Sequence, residues 1–350
     1  MKRVLSVALA AAIIALCSFP AGAARLTQAE VAPYVRPQRM VDAGGHKLNL
    51  YCTGHGAPAV ILDAGEADTT HVWRKVQPRI AAFTRVCSYD RAGMGFSEGG
   101  PLPRDANAIV TDLHRVLQRA GIAPPYVLVA HSIAGLYAPL YADRYRQDVA
   151  GMVLVDPSFA NQTEVLEAVS PTLKRLDRAA PGAYRMCYEA ALHHDLNQGA
   201  DKYAMCGFPA HAAAVTKAQC AKGGPALCEL LHAQIAQIRR PAFWLNLGSE
   251  DAAARGVDSA QVLKEQRSYG AMPLIVLTAA NDSGPRLPFP PAEMRAIERA
   301  WTAAHDRIAR LSSIGTNFVV RRSEHYIQLD RPTVVISAIN EVVTQARHSH

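Results

Sequence analysis

The strongest constraint in this chain is a rhythm. Short, largely apolar runs alternate with longer stretches whose apolar residues recur every three or four positions. Ala59 to Leu62, Val86 to Tyr89, Tyr126 to Ala130, Gly151 to Val155, Leu274 to Leu277 and Asn317 to Val320 read as strands buried on both faces. Between them, Asp105 to Ala120 places Ile109, Leu113, Val116, Leu117 and Ala120 on one helical stripe. Ser132 to Arg146, Pro291 to Leu311 and Thr333 to Ala346 also predict helices. Strands without a polar face need helices on both sides, so the pattern dictates a mostly parallel sheet in an α/β architecture. Met40 to Ala43 and Lys47 to Cys52, around Gly44-Gly45, predict a hairpin ahead of these strands.

The rhythm fails between Val155 and Pro273. That stretch is alanine-rich, helical in propensity, and carries Cys187, Cys206, Cys220 and Cys228. It reads as an insertion, residues 157–269, into one domain formed by residues 24–156 and 270–350. A chain of 350 residues, 49% hydrophobic and 19% charged, can bury a continuous core and is not a disordered or polytopic membrane protein. Its net charge of +7 is spread along the chain, with pairs such as Arg239-Arg240 and Arg321-Arg322 as the densest clusters. With no basic run or module signature, nucleic acid is excluded as a partner.

The beginning reads as an address. Lys2 and Arg3 precede the apolar run Val4 to Leu16, and Ala21-Gly22-Ala23 supplies a small-residue cleavage site. Residues 1–23 therefore predict a secretory signal peptide, too short for a membrane span, and place the mature protein in the periplasm or medium. Leu16 is too large for the residue before a lipidated cysteine, so no stable membrane anchor is expected. Export leaves six cysteines, Cys52, Cys87, Cys187, Cys206, Cys220 and Cys228, an even set in an oxidising compartment. No C-x-x-C pair accompanies them, and no metal site is expected.

Chemistry is suggested where strands end. Val127-Leu128-Val129 runs into Ala130-His131-Ser132-Ile133-Ala134-Gly135 and then a helix. A serine between a strand and a helix, flanked by small residues, fits a nucleophile elbow, with Ala130 and Ala134 where glycines are usual. Cys87-Ser88-Tyr89-Asp90-Arg91-Ala92-Gly93-Met94-Gly95-Phe96-Ser97 contains a Gly-x-Gly, but its third glycine is misplaced and no helix follows, which argues against a dinucleotide loop. Near the end, Ser323-Glu324-His325-Tyr326 leads into Asp330-Arg331-Pro332.

On these motifs the chain resembles the α/β-hydrolase fold superfamily, in particular its serine esterase and lipase-like branch with an inserted cap. The resemblance runs from about Met40 to Ala346, apart from the insertion. It implies an eight-stranded, mostly parallel sheet with helices on both faces and a helical cap. It casts Ser132 as nucleophile and His325 as base, in the chain order serine, acid, histidine. The acid is Asp156, ending the strand Met152 to Val155, or alternatively Asp282 after the next strand; Asp156 is preferred. Ile133 N–H and Glu66 N–H, with Gly65 permitting the turn, would form the oxyanion hole. The family's strand order sets Cys52 beside Cys87, leaving Cys187 with Cys206 and Cys220 with Cys228 as local pairs. The implied activity is hydrolysis of a small-molecule carboxylic ester without a cofactor. An aminopeptidase, acyltransferase or lyase, or a non-catalytic binding protein, would be the alternative on this fold.

Overall fold

A computed structural model describes residues 26–178, 180–197, 200–207, 212–281 and 289–348. The leader at residues 1–23 and the alternative acid Asp282 lie outside the described residues.

Eight strands form one sheet: β1 (Arg39–Asp42), β2 (Lys47–Thr53), β3 (Ala59–Asp63), β4 (Val86–Tyr89), β5 (Tyr126–His131), β6 (Val149–Val155), β7 (Leu274–Ala279) and β8 (Thr316–Val320). Their order is β1-β2-β4-β3-β5-β6-β7-β8. Only β2 runs against its neighbours; β3 to β8 are parallel. The central strands β3, β5, β6 and β7 are buried at every position, as their apolar runs require.

Side chains leave these strands alternately for two cores. Ile61, Leu128, Met152, Leu154 and Val276 pack under helices α1 (Ala106–Arg119) and α2 (Ala134–Arg144). Val60, Leu62, Val127, Val129, Val153 and Leu277 face the opposite way, toward the C-terminal helix (Pro332–His348). Each fully buried Val, Leu or Ile contributes roughly 1.5–3 kcal/mol relative to exposure. The sheet therefore fixes the positions at which its strands end.

Among the described residues between β6 and β7 the named elements are helices: α3 (Gln162–Glu167), α4 (Pro171–Asp177), α5 (Ala180–Leu192), α6 (Ala212–Ile238), α7 (Pro241–Ala254) and α8 (Val257–Glu265), with short 3-10 turns. Tyr184, Tyr203, Phe243 and Trp244 are buried together in a satellite core with Met94, Cys187 and Cys206. These aromatics pack the insertion itself. Helices α9 (Pro291–Ala309) and α10 (Pro332–His348) follow β7 and β8.

Three disulfides are formed: Cys52–Cys87, Cys187–Cys206 and Cys220–Cys228. The first bridges directly paired positions of β2 and β4. The third requires a bend. Eight residues of straight helix span about 12 Å, whereas Cys220 and Cys228 have Cα atoms 4.5 Å apart. Gly224, at φ 81° and ψ −177°, breaks α6 between them, and Pro225 starts the second half. His232 lies 4.0 Å from Cys228 Sγ, one turn further on.

Candidate active site

The site sits at the C-terminal ends of the parallel strands, where strand-to-helix turns converge. Ser132 directly follows β5 at φ 54°, a left-handed conformation that L-residues rarely adopt. Its strain is held by surrounding backbone. Ser132 N–H donates to Val155 O at 3.2 Å, and its own carbonyl accepts from Gly135 and Ser158 N–H at 2.8 and 2.7 Å. The flanking Ala130 and Ala134 are fully buried, which explains why only small side chains fit there. At Gly135 a Cβ would lie 2.4 Å from Pro157, so α2 could not approach the next strand's turn.

Asp156 repeats the arrangement one strand over. It directly follows β6 at φ 44°, and its N–H donates to Leu277 O at 2.7 Å. His325 arrives from the loop after β8. Its Nε2 is 2.8 Å from Ser132 Oγ, and its Nδ1 is 2.6 Å from Asp156 Oδ2. Ser132, His325 and Asp156 thus form one hydrogen-bonded chain. Asp156 is 2% exposed, whereas Ser132 and His325 are only partly covered and open to a reactant.

The electrostatics follow from this geometry. Burial pushes the Asp156 carboxyl up, but the hydrogen bond and charge of His325, with His305 and the Ala279 amide, leave it below its ordinary value. Burial opposes the charged form of His325, yet the hydrogen bond and charge of Asp156, then the charge of Asp68, hold the imidazole above its ordinary value. Asp156 Oδ1 is fixed from the other side by Ala279 N–H at 3.0 Å and Trp301 Nε1–H at 2.9 Å. Such a set can hold one imidazole tautomer, take a proton from a hydroxyl at Nε2, and tolerate the imidazolium that results.

Gly65 and Glu66 follow β3, the strand paired with β5, in register Asp63 with Ala130. Among the described residues neither Ile133 N–H nor Glu66 N–H has a backbone acceptor, so both can donate to a ligand oxygen. At Gly65 a Cβ would stand 2.8 Å from both Asp68 Oδ2 and His131 Nδ1, which requires glycine. Glu66 takes a hydrogen bond from Tyr184 OH of α5 at 2.6 Å. Burial, then the nearby Asp251, push its carboxyl up to about 8, so at neutral pH the protonated form predominates beside the site.

Several contributors escaped sequence reasoning. His131, next to Ser132, is fully buried, and its Nε2–H donates to His325 O at 3.0 Å, tying the histidine loop to β5. Burial depresses its imidazole to about 3, so it is neutral. Trp301 and His305 sit on α9, far along the chain from Asp156. His305 bridges Thr278 Oγ1 at 2.7 Å and Pro157 O at 2.8 Å. The one available signal was helical spacing, since Trp301 and His305 are four residues apart and share a face.

This constellation at the strand ends of a mostly parallel sheet defines an α/β hydrolase. A family profile described as alpha/beta hydrolase fold matches residues 58–271, more than half of the chain, and the protein belongs to that family. An AB hydrolase superfamily protein of Gibberella zeae is 33% identical over 103 residues, which cover 28% of this chain and 32% of that one. The chain spans less than half the length of curated relatives it matches, 38% and 43% for two from Bacillus subtilis. A thermophilic esterase from Thermogutta terrifontis superposes with a TM-score of 0.54 at 20% identity, over 89% of this chain and 99% of that one. An enol-lactonase from Burkholderia xenovorans gives 0.54 at 15% identity, over 86% and 97%. These structural likenesses show the fold. Among the described residues no helix is long and apolar enough to cross a membrane.

Proposed function

We propose that the protein is an exported serine hydrolase that cleaves a small-molecule carboxylic ester through an acyl-enzyme on Ser132. The observation that carries this reading is the continuous chain from Ser132 Oγ through His325 to the buried Asp156, at 2.8 and 2.6 Å. In the proposed cycle, His325 Nε2 takes the Ser132 proton as Oγ attacks the ester carbonyl. The resulting oxyanion accepts hydrogen bonds from Ile133 N–H and Glu66 N–H. His325 returns the proton to the leaving alcohol, and the C–O bond to that alcohol breaks. Water then repeats the sequence, with His325 as base, and releases the acid and Ser132. Asp156 holds the Nδ1–H tautomer throughout.

Residues 157–269 serve in this reading as a cap that selects substrates, and residues 1–23 as the export leader. Three formed disulfides support an oxidising destination, the periplasm or the medium. The test is hydrolysis of p-nitrophenyl esters with chains from two to sixteen carbons, by wild type, Ser132→Ala and His325→Ala. Each substitution should lower turnover by roughly three orders of magnitude or more. A fluorophosphonate should label Ser132 alone. Full turnover by Ser132→Ala, or labelling elsewhere, refutes the reading.

A further inference from the structure

Asp90-Arg91 of the glycine-containing segment after β4 is not used by the chemistry above, yet Arg91 is one of the most thoroughly bonded side chains in the molecule. It is 3% exposed. Its guanidinium offers five N–H donors, and each has an acceptor. Nε donates to Glu250 at 3.1 Å, and NH2 reaches Glu250 Oε1 at 2.7 Å. NH1 donates to Asp63 Oδ1 at 2.8 Å and to Ala64 O at 2.5 Å. The remaining NH2 donor takes Gly65 O at 2.6 Å. Asp63 belongs to β3 and Glu250 to α7 of the insertion, 5% and 2% exposed.

The two backbone carbonyls matter most. In a planar trans peptide the C=O of one residue and the N–H of the next point in opposite directions. Pinning Gly65 O on Arg91 therefore turns Glu66 N–H the other way, and pinning Ala64 O does the same for Gly65 N–H. Asp68 N–H adds a second, longer bond to Gly65 O at 3.2 Å. We propose that Arg91 is the positioning residue of the oxyanion loop, holding the peptide planes of Ala64-Gly65 and Gly65-Glu66 so that Glu66 N–H is aimed at the developing oxyanion before substrate arrives. Glu250 supplies the countercharge from the insertion, so the loop's geometry depends on that helix being docked. The proposal rests on the acyl-enzyme reading of Ser132. A lysine could not replace the fork, because one ammonium cannot serve two successive carbonyls and two carboxylates in fixed directions.

Preorganised donors act on the transition state more than on the bound substrate, which separates this role from simple scaffolding. Arg91→Lys should lower kcat on p-nitrophenyl acetate by about 30- to 100-fold, somewhat less than the roughly 10²- to 10³-fold of a donor removed outright, while KM stays within about twofold. Its affinity for a trifluoromethyl ketone, whose adduct carries the oxyanion, should fall by a similar factor. Glu250→Gln, which keeps the shape but removes the countercharge, should move both quantities in the same direction by less, and it carries the test if Arg91→Lys does not fold. Unchanged kcat in the folded variants, or a kcat loss with undiminished ketone affinity, overturns the positioning role. Turnover retained by Ser132→Ala in the same assay instead overturns the acyl-enzyme reading on which the role depends.

Discussion

The sheet and the helical insertion reach stability by different routes. The sheet buries uninterrupted apolar strands between two helical layers, and one disulfide staples β2 to β4. The insertion has a small core around Tyr184, Phe243 and Trp244 and carries the other two disulfides within less than fifty residues of chain. Every residue proposed to touch the reacting atoms stands at a strand end or in the loop after β8. The insertion supplies Tyr184 and Glu250, which touch the oxyanion loop and its brace. The contrast teaches that the proposed reaction and selection rest on parts held together differently, one by burial and the other also by covalent staples, which meet through Glu250 and Tyr184.

The sharpest way to break this division is at the acid. Asp156→Asn should lower ester turnover about 10⁴-fold, since an amide supports the wrong imidazole tautomer, whereas Asp282→Asn should retain most activity. Both proteins should stay folded by circular dichroism. The reverse result would move the acid to the turn after β7. Residual turnover in Asp156→Asn should also show its ascending pH limb at lower pH than wild type. The carboxylate that raises the His325 value is then gone, and the free base forms earlier.

Removing the Cys187–Cys206 bridge by Cys187→Ala with Cys206→Ala should cost roughly 2–4 kcal/mol in thermal or denaturant unfolding. If selection resides in the insertion, long-chain esters should lose more kcat/KM than p-nitrophenyl acetate. An equal loss on all chain lengths would tie the insertion to the chemical step itself. Trp301→Phe keeps an aromatic side chain but deletes the indole N–H to Asp156, and about a tenfold loss of kcat is expected for a weakened hydrogen bond to a charged group. No loss would show that Ala279 N–H suffices.

The smallest effect concerns pH. Glu66 titrates near 8 and Asp68 near 7 in the folded protein, both raised chiefly by burial. Unfolded carboxyls lose their protons near 4, so the folded state binds more protons between those limits. Stability is then fully present below about pH 4 as far as these two groups are concerned, and declines as pH rises through 7 and 8. Glu66→Gln should flatten the upper part of that decline in melting curves across pH 5 to 9. An unchanged slope would mean that Glu66 is ionised and solvated.

The elements were legible because strand and helix periods were strong. Ala59–Asp63, Tyr126–His131 and Leu274–Ala279 differ from the sequence expectation by one or two residues at an end. The serine and histidine stood out because each lies beside an element boundary. Arg91, Glu250 and Trp301 were invisible for a physical reason. Their partners are 159 and 145 residues away along the chain, and an arginine after a strand looks the same in sequence whether it is solvated or wholly buried. Glu66 was legible as a backbone donor, whereas the fate of its carboxyl, bonded to Tyr184 of the insertion 118 residues away and raised chiefly by burial, was not. The cysteine pairing was legible only through strand order and local spacing, and the three bridges match it.

The adjacency of β5 and β6 has a consequence for heat. His131 pairs with Val155, so Ser132 and Asp156 are the next residues on neighbouring strands. Their separation is gauged by the interstrand spacing of about 4.8 Å, a length set by backbone hydrogen bonds that repacking of helices leaves unaltered. His325 has no such gauge; it sits on a loop held to the sheet by single bonds, from His131 to its own carbonyl, from Asn281 N–H to Ser323 O and from Ser323 Oγ to Val320 O. On warming, serine and aspartate should keep their distance until the sheet itself melts, while the histidine should move out of line first. Activity should therefore fade reversibly some degrees below the unfolding transition, as a clock loses its escapement while the frame still stands.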